Sequence, residues 1–176
     1  MKIGIGYRGK ENRYSRGSSQ RLKEKFVYLG TGKNFMYNFS LKAEEELSLS
    51  QSVKHYFGAD GDRWITSGIR DYFPKATYLL CRFHLNKRLR ESLPGNKTQQ
   101  KLIRNLLLSN QIDEALAKID NLLVASSEQK QKKLLAEFYT YIANNSQGIT
   151  NQVTLKDKDI AKTGAIESNV NTVVPA

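Results

Sequence analysis

The sequence predicts an α/β fold, a small strand-and-helix core carrying an all-helical insertion. Three observations predict it. Apolar residues alternate with period two near the N-terminus; a strand, an acidic turn, a helix and a second strand follow one another from Val53 to His84; and three apolar stripes of helical spacing lie between Leu102 and Ile142. A chain of 176 residues suits one moderate core.

Taken in order, Ile3, Ile5 and Tyr7 alternate with Gly4, Gly6 and Arg8, the period of a half-buried strand. A polar stretch from Gly9 to Gln20 separates them from residues 25–29, a second strand closed by Gly30-Thr31-Gly32, so an antiparallel hairpin with a long basic loop is expected. Phe35, Met36, Phe39, Ala43 and Leu47 recur every three to four residues and predict an amphipathic helix over 34–47, with Glu44-Glu45-Glu46 on its solvated face. A strand over 53–59 comes next. Trp64, Ile65, Ile69 and Tyr72 share one helical stripe, ended at Pro74, which has no amide hydrogen to donate. Residues 76–81 form a buried strand that passes into a helix over 83–93, stopped by Pro94-Gly95.

Beyond that point the pattern is helical throughout. Leu102, Ile103, Leu106 and Leu107 make one stripe, Ile112, Leu116, Ile119 and Leu123 a second, and Leu134, Leu135, Phe138, Tyr141 and Ile142 a third. Ser109-Asn110 and Ser126-Ser127 supply residues suited to N-caps between them. Residues 144–163 read as polar loop, and Gly164 opens a short helix bearing Glu167, with Ile166, Val170, Val173 and Val174 as its apolar side. The expected parts are a core over 1–84, a helical insertion over 85–160 and a final core helix over 161–176.

Formal net charge is +11, which favours a polyanionic partner such as nucleic acid over an acidic small molecule. Nine Lys or Arg stand against two Glu between Met1 and Lys33, and the loop residues Arg8, Lys10, Arg13 and Arg16 are either a solvated hairpin face or contacts to phosphate. Arg82, Lys87, Arg88 and Arg90 pose the same choice on the helix after the second core strand. A lone cysteine, Cys81, excludes an internal disulfide and fits a reducing compartment. No apolar run approaches the roughly 20 residues that span a bilayer, and the N-terminus has no signal-peptide core. A cytoplasmic protein with no membrane partner is expected.

Asp60 ends the strand over 53–59, and the carboxyl ends of strands in open α/β sheets are where ligands bind. A functional carboxylate and a metal site are therefore expected there, against the plainer reading of Gly-Asp-Gly-Asp as a turn. Asp62 reads as a helix N-terminal residue favoured by the helix dipole. Cys81 and His84 lack partners for a closed zinc site, because the chain has one other histidine, His55, and no other cysteine. Cys81 is then a small buried residue at a strand end and His84 a helix-start histidine, or the two form a nucleophile dyad.

These segments together carry a resemblance. Gly58-Ala59-Asp60-Gly61-Asp62-Arg63-Trp64-Ile65, the helix closed by Phe73-Pro74, Leu79-Leu80-Cys81-Arg82-Phe83-His84-Leu85, and Gly164-Ala165-Ile166-Glu167-Ser168-Asn169-Val170 resemble, in that order, the DDE transposases of bacterial insertion sequences. The likeness is to the mutator-like branch and a related set of uncharacterised proteins, and covers residues 2–174. It implies an RNase H-like fold, a helical insertion between the second and third carboxylates, and metal-dependent DNA cleavage and strand transfer with Mg2+ or Mn2+. By that resemblance Asp60 is the second carboxylate and Glu167 the third, both of them metal ligands, and Cys81-x-x-His84 is the signature supporting the site from beside it. The implied partners are DNA and, for assembly, full-length transposase or a second copy, with no small-molecule substrate.

One departure from that pattern is specific. No aspartate precedes Asp60, and Glu11, Glu24 and Glu44 to Glu46 fall in the hairpin loop, at a strand edge and on a helix. The expectation is an incomplete RNase H-like core, a mixed sheet lacking its first strand and first catalytic Asp, with loss at the C-terminus too. Such a chain is expected to be inactive alone, since the two-metal site lacks a ligand and the sheet an inner strand. Its rivals are a non-catalytic basic DNA-binding or regulatory protein and, last, an RNA-binding α/β protein.

Overall fold

The computed structural model describes residues 1–12, 20–52 and 54–155, with the backbone alone for residues 10–12 and 20. They form two compact units, one of Met1–Phe57 with Trp64–Thr77, the other of Gly58–Arg63 with the described chain from Tyr78 on.

In the first unit β1 (Lys2–Gly6), β2 (Lys10–Asn12), β3 (Gln20–Leu22) and β4 (Phe26–Gly30) build nested antiparallel ladders, β1 with β4 and β2 with β3. The expected open loop thus continues the hairpin. Its three-residue strands, Lys-Glu-Asn and Gln-Arg-Leu, have no apolar alternation to announce them, and backbone bonds from Arg8 N–H to Lys23 C=O and from Lys23 N–H to Gly9 C=O carry the pairing across. In β1 the buried residue is Gly4, while Ile3 and Ile5 are half-buried. A Cβ on Gly4 would stand 2.6 Å from the Phe39 ring, so the glycine face is the one on which a helix lies.

That helix, α1 (Phe35–Leu47), buries the whole predicted stripe, Phe35, Met36, Phe39, Ala43 and Leu47. Phe39 lies 5.6 Å from Phe26, 6.0 Å from Phe35 and 5.8 Å from Phe73, ring centre to ring centre. Each such ring taken out of water contributes about 1.5–3 kcal/mol. Ser48, with φ +48, turns the chain out of the helix. The acidic run is solvated as expected: Lys42 pairs with Glu45 and Glu46, and Glu44 accepts the Ser50 hydroxyl and amide.

β5 (His55–Ala59), α2 (Arg63–Tyr72) and β6 (Ala76–Leu80) follow, with β5 and β6 paired. Of the predicted α2 stripe, Ile69 is buried and Ile65 half-buried, whereas Trp64 and Tyr72 are at the exposed margins. Trp64 sits edge-on to Phe35 and carries the Lys2 ammonium 3.9 Å above its ring. Where one mixed sheet was expected, the described residues form three separate two-stranded sheets, because each described strand has a single neighbour.

The second unit is helical: α3 (Arg82–Ser92), α4 (Lys97–Leu108), α5 (Ile112–Ala125), α6 (Gln129–Asn144) and α7 (Ser146–Thr154). Leu80, Leu89, Leu93, Ile103, Leu107, Ile119, Leu135 and Ile142 are among its aliphatic core. Ser109-Asn110 and Ser126 end helices rather than begin them. Asn110 adopts φ +59, and Gln111 N–H reaches back to Leu106 C=O, the Schellman closure; Ser126 caps the end of α5. Gln100 and Gln131 side-chain amides donate to Leu93 and Ser92 carbonyls left over at the end of α3.

α7 stands where loop was expected. Its Ser, Gly, Thr and Asn content is poor for a helix, but tertiary contacts decide, with Gly148, Ile149 and Gln152 buried and the Asn151 amide donating to Tyr78 C=O. Among the described residues no helix is long and apolar enough to cross a membrane. The expected helix over 164–174, with Glu167, lies outside the described residues, as do Arg13 and Arg16.

Candidate functional site

β5 delivers Asp60 at its carboxyl end, and the turn that follows is fixed from both sides. Asp60 Oδ1 accepts the Asp62 amide at 3.0 Å, closing an Asx turn. Gly61 takes φ +94, and a Cβ there would stand 2.7 Å from Tyr141 and 2.9 Å from Asn145 and Leu80, so both conformation and space demand glycine.

Cys81, buried and in no disulfide, is the extended residue before α3, and its amide donates to Ala59 C=O at 2.8 Å. This bond brings the first turns of α3 beside the Asp60 turn. His84, Lys87, Arg88 and Glu91, spaced i, i+3, i+4 and i+7 on one helical face, then line a recess of about 300 Å³ together with Asp60 and Asp62. The Lys87 ammonium is 3.9 Å from Glu91, and the Arg88 guanidinium stacks 5.6 Å from the Tyr141 ring centre.

Behind the turn lies a buried polar network. Tyr141 Oη donates to Asp60 C=O at 2.7 Å; Asn145 Nδ2 donates to Gly61 C=O at 3.2 Å and Tyr141 C=O at 2.9 Å; and Tyr78 Oη donates to Asn145 Oδ1 at 2.7 Å. Burial holds both tyrosines well above the usual phenol range, so they remain protonated donors.

Of the residues singled out from sequence, the structure brings Asp60, His84, Lys87 and Arg88 into one recess and places Cys81, which is not among the lining residues, immediately before α3. Arg82 and Arg90, at other angles around α3, are not among the residues lining it. Arg82 points a guanidinium nitrogen to Gln152 C=O at 3.4 Å. Arg8 belongs to the first unit, where it pairs with Glu24 and donates to Leu47 C=O. Lys10 lies on β2, with its side chain outside the description.

Sequence reasoning missed Asp62 and Glu91 as members of the site, and Tyr141 and Asn145 behind it. Glu91 had a readable signal, since it completes the His84, Lys87, Arg88 face. The recess offers carboxylate oxygens suited to a hard cation and cations suited to phosphate. Among the described residues no group of three or more His, Cys, Asp or Glu is arranged to hold a metal ion.

Comparison with known proteins adds a family. The uncharacterised protein family UPF0236 matches residues 6–174. Among similar sequences is a UPF0236 protein of Caldanaerobacter subterraneus subsp. tengcongensis, 30% identical over 136 residues, which are 76% of this chain and 28% of the relative. Another from that organism is 31% identical over the same length and shares, and its name joins eleven locus labels. The chain thus spans little more than a quarter of these curated relatives. No solved structure matches it.

Proposed function

The chain belongs to the uncharacterised protein family UPF0236, and from that footing we propose that it is a segment of a DDE transposase with an RNase H-like core, its chemistry centred on Asp60. The observation that carries this reading is Asp60 at the carboxyl end of β5, in a polar recess that it shares with His84 of Cys81-x-x-His84. The eleven locus labels of one relative add support, because one protein at many loci of a genome is the trace that a self-copying element leaves.

In this reading Asp60 and Glu167 hold Mg2+ or Mn2+, which when bound offsets charge on the attacking and leaving oxygens of the phosphodiester. His84 borders the reacting phosphate, and Cys81 seats the start of α3. Lys87 and Arg88 neutralise phosphate beside the carboxylates, while Arg8, Lys10, Arg13, Arg16, Arg82 and Arg90 contact the DNA backbone outside the recess. Full-length transposase or a second copy is the proposed assembly partner, and the cytoplasm the proposed location.

Because no aspartate precedes Asp60, the 176-residue chain by itself lacks a first-strand carboxylate and is expected to bind DNA without cutting it. The same fact favours a second reading, a non-catalytic DNA-binding or regulatory role. Incubation with duplex DNA and Mg2+ or Mn2+ tests both. Salt-sensitive binding, unchanged by Asp60→Ala and without nicking, is expected; nicking abolished by Asp60→Ala overturns the inactivity, and absence of binding at low salt overturns both readings.

A further inference from the structure

The polar network behind the Asp60 turn is built at a distance in sequence, and every bond that reaches the turn ends on backbone. Tyr141 Oη takes the carbonyl of Asp60, 81 residues away, and Asn145 Nδ2 takes the carbonyl of Gly61, 84 residues away. Asn145 is itself held, with Tyr78 Oη on its Oδ1 and its own amide on Tyr141 C=O, and it is only 1% exposed. Asn151 ties Tyr78 further by donating to its C=O at 2.9 Å. A donor pair aimed at two successive carbonyls leaves the peptide between Asp60 and Asp62 little freedom to rotate. The Asp60 carboxylate is tied to that peptide geometry in turn, since its Oδ1 accepts the Asp62 amide.

We propose that Tyr141 and Asn145, at the end of α6, are positioning residues that set the orientation of the Asp60 carboxylate by clamping the carbonyls of Asp60 and Gly61. This rests on reading Asp60 as the functional carboxylate and gives the helical region a role in the site. Neither residue is among those lining the recess. A carboxylate that must meet a cation and a phosphate within a few tenths of an ångström benefits from a turn already locked, and a fully bonded buried network supplies that lock better than packing alone.

The clamp is testable without metal, DNA or turnover, so its failure is separable from failure of the nuclease reading. Tyr141→Phe removes one hydroxyl and keeps the ring against Phe138 and Arg88. Amide hydrogen exchange of the whole chain, followed by NMR, reads the consequence at the Asp62 N–H, the donor to Asp60 Oδ1. Losing one buried hydrogen bond is expected to speed exchange at Gly61 and Asp62 about three- to tenfold, with Leu89, Ile119 and Leu135 unchanged. Tyr78→Phe, which frees Asn145 Oδ1, gives a second and smaller rise at the same two amides and serves if Tyr141→Phe fails to fold. Unchanged exchange at Asp62, or a rise spread equally over the core of the second unit, overturns the proposal.

Discussion

The two units solve the problem of holding a short strand pair by different means. In the first, a β-ladder is pressed against α1 by rings, Phe26, Phe35, Phe39 and Phe73, and its ion pairs lie outside in water. In the second, aliphatic side chains fill the core and directional bonds run through it to the Asp60–Gly61 carbonyls. Ring packing tolerates small displacements; hydrogen bonds to fixed carbonyls do not. Directional bonding is thus concentrated at the one turn that presents a carboxylate to the recess.

This contrast can be broken unit by unit, because Trp64, the single tryptophan, reports on the first unit and far-ultraviolet dichroism is dominated by the five helices of the second. The largest effect is expected from Phe39→Ala, which removes the ring touching both hairpin and helix and should cost about 3–5 kcal/mol in urea unfolding followed by Trp64 fluorescence. Asn145→Ala should follow at about 2–4 kcal/mol, read in the helical signal, since it strands the carbonyls of Gly61 and Tyr141 and the Tyr78 hydroxyl.

A titration separates the units more gently. The pKa values of Tyr78 and Tyr141 are raised in the folded state, first by burial, above the ordinary 10.0. The second unit should keep its full stability below that pH and lose it as pH rises beyond, because the unfolded chain gives up those protons first. Tyr141→Phe should shrink that alkaline loss in a melting series. Smallest of all is Lys42→Ala, which removes two exposed pairs and should leave the Trp64 transition where it was.

Legibility divides along the same line. The α1 stripe could be read directly because an amphipathic helix against one apolar surface writes its period into the sequence, and all five residues are buried. β1 was readable as a strand, but not the identity of its packed face, since a glycine with a ring upon it has no hydrophobic signature. α7 was not readable, for its stability comes from partners such as Tyr78 rather than from its own residues. In the recess, Asp60 and His84 stood out by motif and Glu91 by spacing once the face was known. Tyr141 was seen only as part of an apolar stripe and Asn145 only as loop, because what they do is hydrogen-bond to backbone far away in the chain.

Asp60 is the carboxylate proposed to meet a divalent cation, and a Mn2+ titration followed by paramagnetic broadening of backbone amides tests that role most directly. Broadening that begins at Gly58 to Asp62 and His84 and disappears in Asp60→Asn is the predicted result. Broadening that begins at the exposed Glu44-Glu45-Glu46 run and is indifferent to Asp60→Asn would contradict it.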